Sequence, residues 1–477
     1  MPKELLIALA LTACAAPSSE QPDFEKTFTN RTLRIEYAHS NGGAAMAEQI
    51  ADCQLRAEPE WPGPRTRRID DSGFGKYKVE LRDAKSQVLY SRGFCSIYGE
   101  WETTPEAKTL VKSFEESVRV PEPRESFRFA LQKRQDDGSF RDLFVETFDV
   151  EKHPPPAPSA SAAGSELITL FENGDLAHHV DLLIASDGYA KEQRDKFVAD
   201  AKRLVDVMFQ TQPYRRLKST FNVRALFVPT PTGTSGIGNP RAGILRETAF
   251  GMSYNAFGSD RYVLAMNDRK LREICAPAPY DALILLFNER KYGGGGIYNL
   301  WATVAADTEP APYIFVHEFG HSFAGLGDEY YTSQVAYEDF VKPGVEPWEP
   351  NVTALLDPAS LKWKALVSAG TPLPTPWDQA HFDEIDLAYQ RKRAQMIADR
   401  ATEAAMEALF REVKGTTGPL LAAEKYANKV GAFEGASYEA KGLYRPEIDC
   451  IMFTRNPTHF CKVCERAIEQ AIGRSID

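Results

Sequence analysis

Alternating apolar and polar residues recur through the first third of the chain. The clearest runs are residues 32–37, 77–81 and 127–131. A two-residue period places the apolar side chains on one face of a half-buried strand, and turn-forming pairs such as Asn41-Gly42 stand between the runs. The pattern predicts an antiparallel β-sandwich domain over residues 24–152.

The pattern changes after residue 165, where buried strands alternate with helical periodicity. The predicted elements are strands at 180–185, 221–228 and 282–287 and a helix at 193–209 with an apolar face of Phe197, Ala201, Leu204, Val205 and Met208. Four glycines at 293–296 precede an apolar segment at 297–305. Because glycines do not stabilise a regular element, we predict a loop that leads into a strand there. The order of elements predicts an α/β (α+β) domain over residues 166–477.

Two further segments complete the predicted organisation. Residues 153–165 (HPPPAPSASAAGS) are rich in Pro, Ala and Ser and predict an extended linker between the two domains. A charged stretch at about 332–430 has helix-forming composition at 391–413 and 420–430 and predicts a helical insertion. This insertion is expected either to wall a cleft or to consist of solvated helices without a catalytic part.

Composition excludes several classes of protein. The chain has 477 residues, of which 43% are hydrophobic and 26% are charged, so it can fill a sizeable core and is not wholly disordered. Acidic residues outnumber basic ones by 67 to 56, which gives a formal net charge of -11. Phosphate-backbone binding needs clustered Lys and Arg, so we expect no nucleic-acid partner.

The N-terminus has the pattern of an export signal. Residues 1–14 (MPKELLIALALTAC) combine Lys3 with a short apolar stretch at 5–11 that is too short to span a bilayer. The tetrad Leu11-Thr12-Ala13-Cys14 resembles a bacterial lipobox, which implies cleavage before Cys14 and lipid attachment to its thiol. The expected location is the bacterial cell envelope, as an outer-membrane lipoprotein whose only membrane contact is this lipid. An ordinary signal peptide with an incidental cysteine is the alternative.

Residues 317–321 read HEFGH and carry the strongest chemical signal. On a helix, His317 and His321 share one face, so both imidazoles can reach one metal ion, and Glu318 lies beside that ion as an acid/base. Two glycines at 325 and 327 then predict a turn that brings a third ligand beneath the metal. Asp328 is the predicted third ligand, and Glu329 is its rival.

The residues around this motif resemble the bacterial IgA-peptidase-type zinc metallopeptidases. The matching segments are HEFGHSFAGLGDEYY (317–331), GAFEGA (431–436), GLYRPEIDCIMF (442–453) and FCKVC (460–464). The resemblance implies a metzincin-like zinc peptidase domain with one catalytic Zn²⁺, Glu318 as catalytic acid/base and Met452 in a turn under the zinc ligands. It does not imply immunoglobulin A as the substrate, because a family does not fix a substrate.

These residues together predict an exported zinc-dependent endopeptidase. Glu318 is expected to take a proton from a zinc-activated water and to pass it to the leaving amine, with Tyr444 as a candidate donor to the oxyanion. The segment 297–305 is expected to pair with an extended protein or peptide substrate. The alternatives are a zinc amidase that acts on cell-wall material and a non-catalytic surface-binding lipoprotein with a vestigial metal site.

Six cysteines follow the signal segment, namely Cys53, Cys95, Cys275, Cys450, Cys461 and Cys464. An even number in an exported protein favours disulfides, although sequence does not give the pairing. Cys53 and Cys95 are candidates to staple the first domain, and Cys450 is a candidate partner for one cysteine of the CxxC pair, with Cys275 left to complete a second bridge. A second zinc site or a redox function of the CxxC pair is the alternative.

Overall fold

The computed structural model describes residues 23–42, 47–152, 154–156, 164–333 and 341–477. The predicted signal segment and most of the predicted linker at 153–165 lie outside the described residues. The helices are α1 (Phe24–Thr27), α2 (Ile97–Trp101), α3 (Arg194–Met208), α4 (Asp268–Cys275), α5 (Ala311–Ala324), α6 (Gln379–Ala398), α7 (Glu403–Ala422) and α8 (Lys462–Ser475). The strands are β1 (Phe28–Ser40), β2 (Gln49–Glu60), β3 (Tyr77–Arg82), β4 (Val88–Phe94), β5 (Ser113–Pro123), β6 (Phe127–Arg134), β7 (Phe140–Phe148), β8 (Glu166–Phe171), β9 (Val180–Asp187), β10 (Phe221–Phe227), β11 (Met252–Ser253), β12 (Leu264–Ala265), β13 (Ala282–Phe287), β14 (Gly294–Ile297), β15 (Trp301–Ala305), β16 (Phe433–Ala436) and β17 (Glu439–Arg445).

The N-terminal domain consists of two antiparallel sheets, with strand orders β2-β1-β5 and β4-β3-β6-β7. Alternate residues such as Leu33 and Ile35 on β1 and Val79 and Leu81 on β3 are buried in one common core. The three predicted strands lie within β1, β3 and β6, so the two-residue period located them correctly. The two sheets confirm the sheet-rich character expected of this domain.

The second domain is built on a mixed sheet of six strands in the order β14-β15-β13-β9-β10-β8. The four central strands are parallel, and both outer strands run antiparallel to their neighbours. The predicted strands at 180–185, 221–228 and 282–287 are confirmed. Helix α3 buries the five residues of its predicted apolar face.

The prediction of a loop at the glycine run is wrong. Gly294, Gly295 and Gly296 belong to β14, and the predicted strand at 297–305 is interrupted by a turn before β15 begins at Trp301. The absence of a side chain allows β14 to lie close to α5, because a Cβ atom on Gly296 would be 2.5 Å from the carbonyl oxygen of Glu318. Pairing with β15 and contact with α5 together outweigh glycine's weak preference for strands.

The central sheet separates two cores. One face packs against helices α3, α5 and α8. The other face belongs to a core that continues through residues 249–283 into the N-terminal domain. Polar contacts cross the same boundary: Arg119 donates to the carbonyl oxygen of Tyr280 at 2.7 Å, and Ser117 donates to Asp268 at 2.5 Å. The N-terminal domain therefore covers one face of the six-stranded sheet instead of standing apart from it.

The insertion contains the two long helices α6 and α7. The predicted helix at 391–413 crosses the break between them, and the helical structure in residues 341–378 is limited to a short 3-10 turn at Lys364–Leu366. Helix-forming composition thus located helical structure without its boundaries. Among the described residues, no helix has both the length and the apolar character needed to cross a bilayer.

Candidate metal centre

Helix α5 carries the HExxH residues through the centre of the domain. Its apolar residues, including Ile314, Phe315 and Phe319, are fully buried between the sheet and the C-terminal segments. The helix ends at Gly325, which adopts a left-handed conformation with φ of 67° and donates its N–H to the carbonyl oxygen of His321. The chain then turns back and passes beneath the two histidines.

Three ligand atoms meet at this turn. The Nε2 atoms of His317 and His321 lie 3.1 Å apart, and Oδ1 of Asp328 lies 3.2 Å from each of them. Ligands that hold Zn²⁺ at about 2.0–2.1 Å in tetrahedral geometry stand roughly 3.3 Å apart. The observed triangle therefore matches the spacing that one ion of this kind needs.

The hydrogen bonds of the imidazoles fix which nitrogen faces the triangle. Nδ1 of His317 lies 3.1 Å from the carbonyl oxygen of Ile451, and Nδ1 of His321 lies 2.5 Å from that of Leu326. A carbonyl oxygen only accepts hydrogen bonds, so each Nδ1 carries a proton, and in the neutral form of each ring the lone pair of Nε2 faces the triangle. Oδ1 of Asp328 is buried and accepts no hydrogen bond within the described chain. Three converging lone pairs fit a bound cation.

The electrostatics of the triangle also favour positive charge. Burial opposes the charge of Asp328, but the adjacent His321 imidazole holds the pKa of this carboxyl well below its ordinary value. Burial likewise opposes the charge of His321, and Asp328 nevertheless raises the pKa of this imidazole to about 9. A proton and a metal ion thus compete for the same position.

The structure brings Asp328 and not Glu329 to the imidazoles. Glu329 points to the opposite side of the turn, where its Oε1 lies 3.2 Å from Sγ of Cys464. The side chain of Asn351 fastens the turn, since it accepts from the N–H of Gly327 at 2.7 Å and donates to the carbonyl oxygen of Gly327 and to Glu329 at 2.9 Å. No local sequence pattern around Asn351 predicts this role.

A different tyrosine from the predicted one contacts the site. The hydroxyl of Tyr438 donates to Oδ2 of Asp328 at 2.5 Å. Tyr444 instead pairs its backbone with Thr353, and its side chain is not part of the cavity wall. Tyr444 lies near the family-like DCIM block in the sequence, within β17. Tyr438 lies in the turn between β16 and β17, and this turn places its hydroxyl beside Asp328. The assignment of Tyr444 to the site is therefore corrected to Tyr438.

Glu318 lies on the wall of a cavity of about 520 Å³ that contains the three ligands. Burial raises the pKa of Glu318, although the imidazoles of His317 and His321 act in the opposite direction. The cavity wall draws on distant parts of the chain: Tyr389 of α6, Phe410 of α7, and Cys95 and Glu100 of the N-terminal domain. The insertion thus walls the cleft, which decides between its two predicted roles.

Met452 packs beneath the helix that carries the histidines. It is fully buried, and its Sδ would lie 3.3 Å from a Cβ atom placed on Gly320. Its carbonyl oxygen accepts the backbone N–H of Glu329 at 2.8 Å. The turn at 449–452 therefore packs against the turn at 327–329. The methionine turn of a metzincin stays a prediction.

The predicted disulfides are absent, since all six cysteines in the described part of the chain are unpaired. Cys53 lies on β2, which packs against β7, whereas Cys95 follows β4 at the other end of the four-stranded sheet. A staple between them is therefore excluded by the topology. Cys275 is buried in the N-terminal core, away from the cluster that Cys450, Cys461 and Cys464 form with Glu329.

Two imidazoles from one helix, a carboxylate from the following turn and a second carboxylate on the cavity wall form the donor set of a candidate single-metal hydrolytic centre. Comparison with known families identifies a family of peptidases. A family model described as IgA Peptidase M64 matches residues 168–472, and one described as Peptidase M64 N-terminus matches residues 23–145. The chain belongs to the IgA Peptidase M64 family, and it is accordingly a peptidase with protein or peptide substrates. No curated protein matches the chain.

Proposed function

We propose that the chain is a zinc-dependent endopeptidase with a metzincin-like site, in which His317, His321 and Asp328 hold one Zn²⁺. The observation that carries the proposal is the triangle of three inward-facing lone pairs at 3.1–3.2 Å beside Glu318. When bound, the ion supplies a Lewis acid that polarises the scissile carbonyl and lowers the pKa of water to about 7.

Glu318 performs the proton transfers in this proposal. It accepts a proton from the attacking water and delivers it to the nitrogen of the leaving amine. Because burial raises the pKa of Glu318, its protonated form is less costly here than at the surface, which suits a group that must hold a proton between the two steps. Tyr438 orients Asp328 through its hydroxyl and thereby keeps Oδ1 directed at the ligand triangle.

Strand β14 is the proposed binding edge for the substrate backbone, in place of the predicted segment 297–305. Strand β15 lies between β13 and β14 and has no free edge, whereas β14 is the outer strand and its glycines line the cavity. The outward-facing backbone groups of Gly294 are already paired: its N–H donates to the carbonyl oxygen of Arg261, and its carbonyl oxygen accepts from the N–H of Val263. Main-chain groups alternate in direction along a strand, so Gly296 presents its N–H and C=O on the same side. An extended peptide that pairs there lies beside Glu318.

The test compares the full chain with its Glu318→Gln variant in zinc content and in cleavage of a peptide library. We expect both proteins to bind zinc and the variant to lose about 10²- to 10⁴-fold in kcat/KM, as for removal of a general base. Glu309→Gln is the matched control, since Glu309 borders the same cavity but pairs with exposed Arg411. Full proteolysis by Glu318→Gln, or cleavage of peptidoglycan but of no peptide, would overturn the proposal.

We also propose that the chain is exported and anchored to the cell envelope by a lipid on Cys14. The support is the lipobox-like tetrad at 11–14 and the short apolar stretch before it. Metabolic labelling with a radioactive fatty acid tests this, with Cys14→Ser as the comparison. Label in the original chain and none in the variant is expected, and equal labelling of both would refute the anchor.

A further inference from the structure

A second cluster of metal-binding side chains lies behind the turn that carries Asp328. It comprises Glu329, Cys450, Cys461 and Cys464, all of which are buried, and their ligand atoms lie within 4.8 Å of one another. The three thiols are unpaired. Neither the catalytic proposal nor the family resemblance assigns a role to them.

Backbone N–H groups are arranged around the sulfur atoms. Sγ of Cys450 accepts from the N–H of Cys461 at 3.2 Å, and Sγ of Cys461 accepts from the N–H of Cys464 at 3.4 Å. Cys461 is also the N-cap of α8, so the first turn of that helix directs its N–H groups toward the cluster. Such donors stabilise negative charge on sulfur, which is the state that binds metal.

Glu329 completes the cluster from the opposite side. Its Oε1 lies 3.2 Å from Sγ of Cys464 and 4.0 Å from Sγ of Cys461, and it accepts a hydrogen bond from Asn351 at 2.9 Å. Its Oε2 is buried and has no hydrogen-bond partner in the described chain. A fully buried carboxylate oxygen without a partner is costly unless a cation meets it.

We propose that Cys450, Cys461, Cys464 and Glu329 bind a second, structural metal ion, and that this ion is Zn²⁺. Three thiolates and one carboxylate supply the four ligands of a closed tetrahedral site, which leaves no position for water and hence no catalytic role. Sulfur ligands about 2.3 Å from zinc stand ~3.8 Å apart, within the observed spread of the cluster. Binding displaces the thiol protons to solvent, so no oxidant or reductant is needed.

The ion joins three segments that surround the catalytic site. Cys450 begins the turn whose Ile451 carbonyl fixes Nδ1 of His317 and whose Met452 carbonyl accepts the N–H of Glu329. Cys461 and Cys464 belong to the start of α8, and Glu329 directly follows the ligand Asp328. The second ion therefore acts as a positioning element that holds the Asp328 turn against the methionine turn.

The first experiment counts metal ions on protein with all its cysteines intact. Zinc is measured by mass spectrometry in the full chain and in His321→Ala, which removes a ligand of the catalytic ion only. We expect two ions per chain in the former and one in the latter. Replacement by Co²⁺ in His321→Ala is expected to give the intense near-ultraviolet absorption of thiolate-to-cobalt charge transfer, a signature that a histidine and carboxylate site lacks.

The second experiment measures the redox state of the three thiols. The chain is denatured in a chelator without reductant and alkylated, and the peptides that contain Cys450, Cys461 and Cys464 are examined. Alkylation of all three supports the metal site. A disulfide between any two of them would overturn it, and so would one ion per chain that His321→Ala abolishes, a result that leaves the catalytic proposal intact.

A substitution separates the cluster from the other buried cysteines. Cys464→Ser is expected to lose one ion per chain and to lower the midpoint of thermal unfolding, whereas Cys275→Ser, which alters a buried thiol outside the cluster, keeps both ions. Equal zinc content in the two variants would contradict the assignment. If Cys464→Ser does not fold, the metal count in His321→Ala still decides.

Discussion

The packing of β14 on α5 makes Gly296 a sensitive position. Its backbone lies outside the left-handed region, so alanine is compatible with the local φ, and the effect of a substitution depends on space alone. A Cβ atom there would meet the carbonyl oxygen of Glu318 at 2.5 Å and Cβ of His321 at 2.8 Å, where ordinary contacts begin at 3.4 Å. The strand or the helix must move by the difference, 3.4 minus 2.5, or about 0.9 Å.

We expect Gly296→Ala to fold and to lose most of its activity. Overpacking of this kind destabilises by about 1–3 kcal/mol, which corresponds to a few degrees in the midpoint of thermal unfolding. A displacement of ~1 Å between the binding strand and the catalytic groups costs on the order of 10²-fold in rate. The expected result is therefore a fall of about 10²-fold in kcat/KM on the peptides that the original chain cleaves, with zinc retained.

Gly415→Ala is the matched control for this experiment. Gly415 lies in α7 with no atom near the position of an added Cβ, so alanine there is expected to stabilise by ~0.5–1 kcal/mol and to leave activity unchanged. If Gly296→Ala kept activity within twofold at an unchanged unfolding midpoint, the close approach of β14 to α5 and its role in catalysis would both be refuted.

Three further changes test other parts of the structure. Tyr438→Phe removes the hydroxyl bonded to Asp328, so we expect zinc affinity at the catalytic site to fall about 10- to 100-fold, measured by competition with a chelating dye. Tyr444→Phe should leave the zinc affinity unchanged. Equal losses in the two variants would contradict the placement of Tyr438, and not Tyr444, at the site. Asn351→Ala leaves the N–H of Gly327 without its buried acceptor, so it should lower the free energy of unfolding by about 1–3 kcal/mol in denaturant titrations. An unaltered unfolding midpoint would show that the turn does not depend on this side chain. Residues 164–477 expressed alone expose the shared core, so calorimetry should show no cooperative transition at the temperature of the full chain; an identical transition would mean that the two domains are independent.

Periodicity located most of the fold because burial in this protein follows simple repeats. Helix α3 shows the apolar spacing of a helix with one buried face. Strand β13 is an apolar run buried on both faces, and β9 is buried throughout with an apolar centre at residues 182–185. The glycine run was wrongly predicted as a loop because these glycines are required by a contact between β14 and α5. The contacting residues, Gly296 and Glu318, belong to different elements, so the local sequence does not reveal the contact. The boundaries of α6 and α7 were missed because composition over a long window hides a short break. The local signal for that break is Thr402, the N-cap of α7, whose side chain accepts from the N–H of Ala405.

The proposed metal ligands were predictable to the extent that they are close together in the sequence. One helix carries His317, Glu318 and His321. The glycines at 325 and 327 predict the turn that brings Asp328 to the two histidines. The choice between Asp328 and Glu329 depends on which side of the turn each carboxylate faces, and that is set by Asn351 and by the distant cysteines. Tyr438 reaches the site only through the β16–β17 hairpin, whose geometry no short motif records.

The N-terminal domain forms part of the cavity border, so changes in that domain can alter which substrates fit the cavity. Cys95 and Glu100 stand at the cleft while contributing nothing to the ligand triangle. Substitutions in the segment from Cys95 to the end of α2 would reshape the cavity wall and leave the candidate metal ligands unchanged. Engineering of new cleavage preferences can therefore begin in the N-terminal domain, at residues outside the proposed metal site.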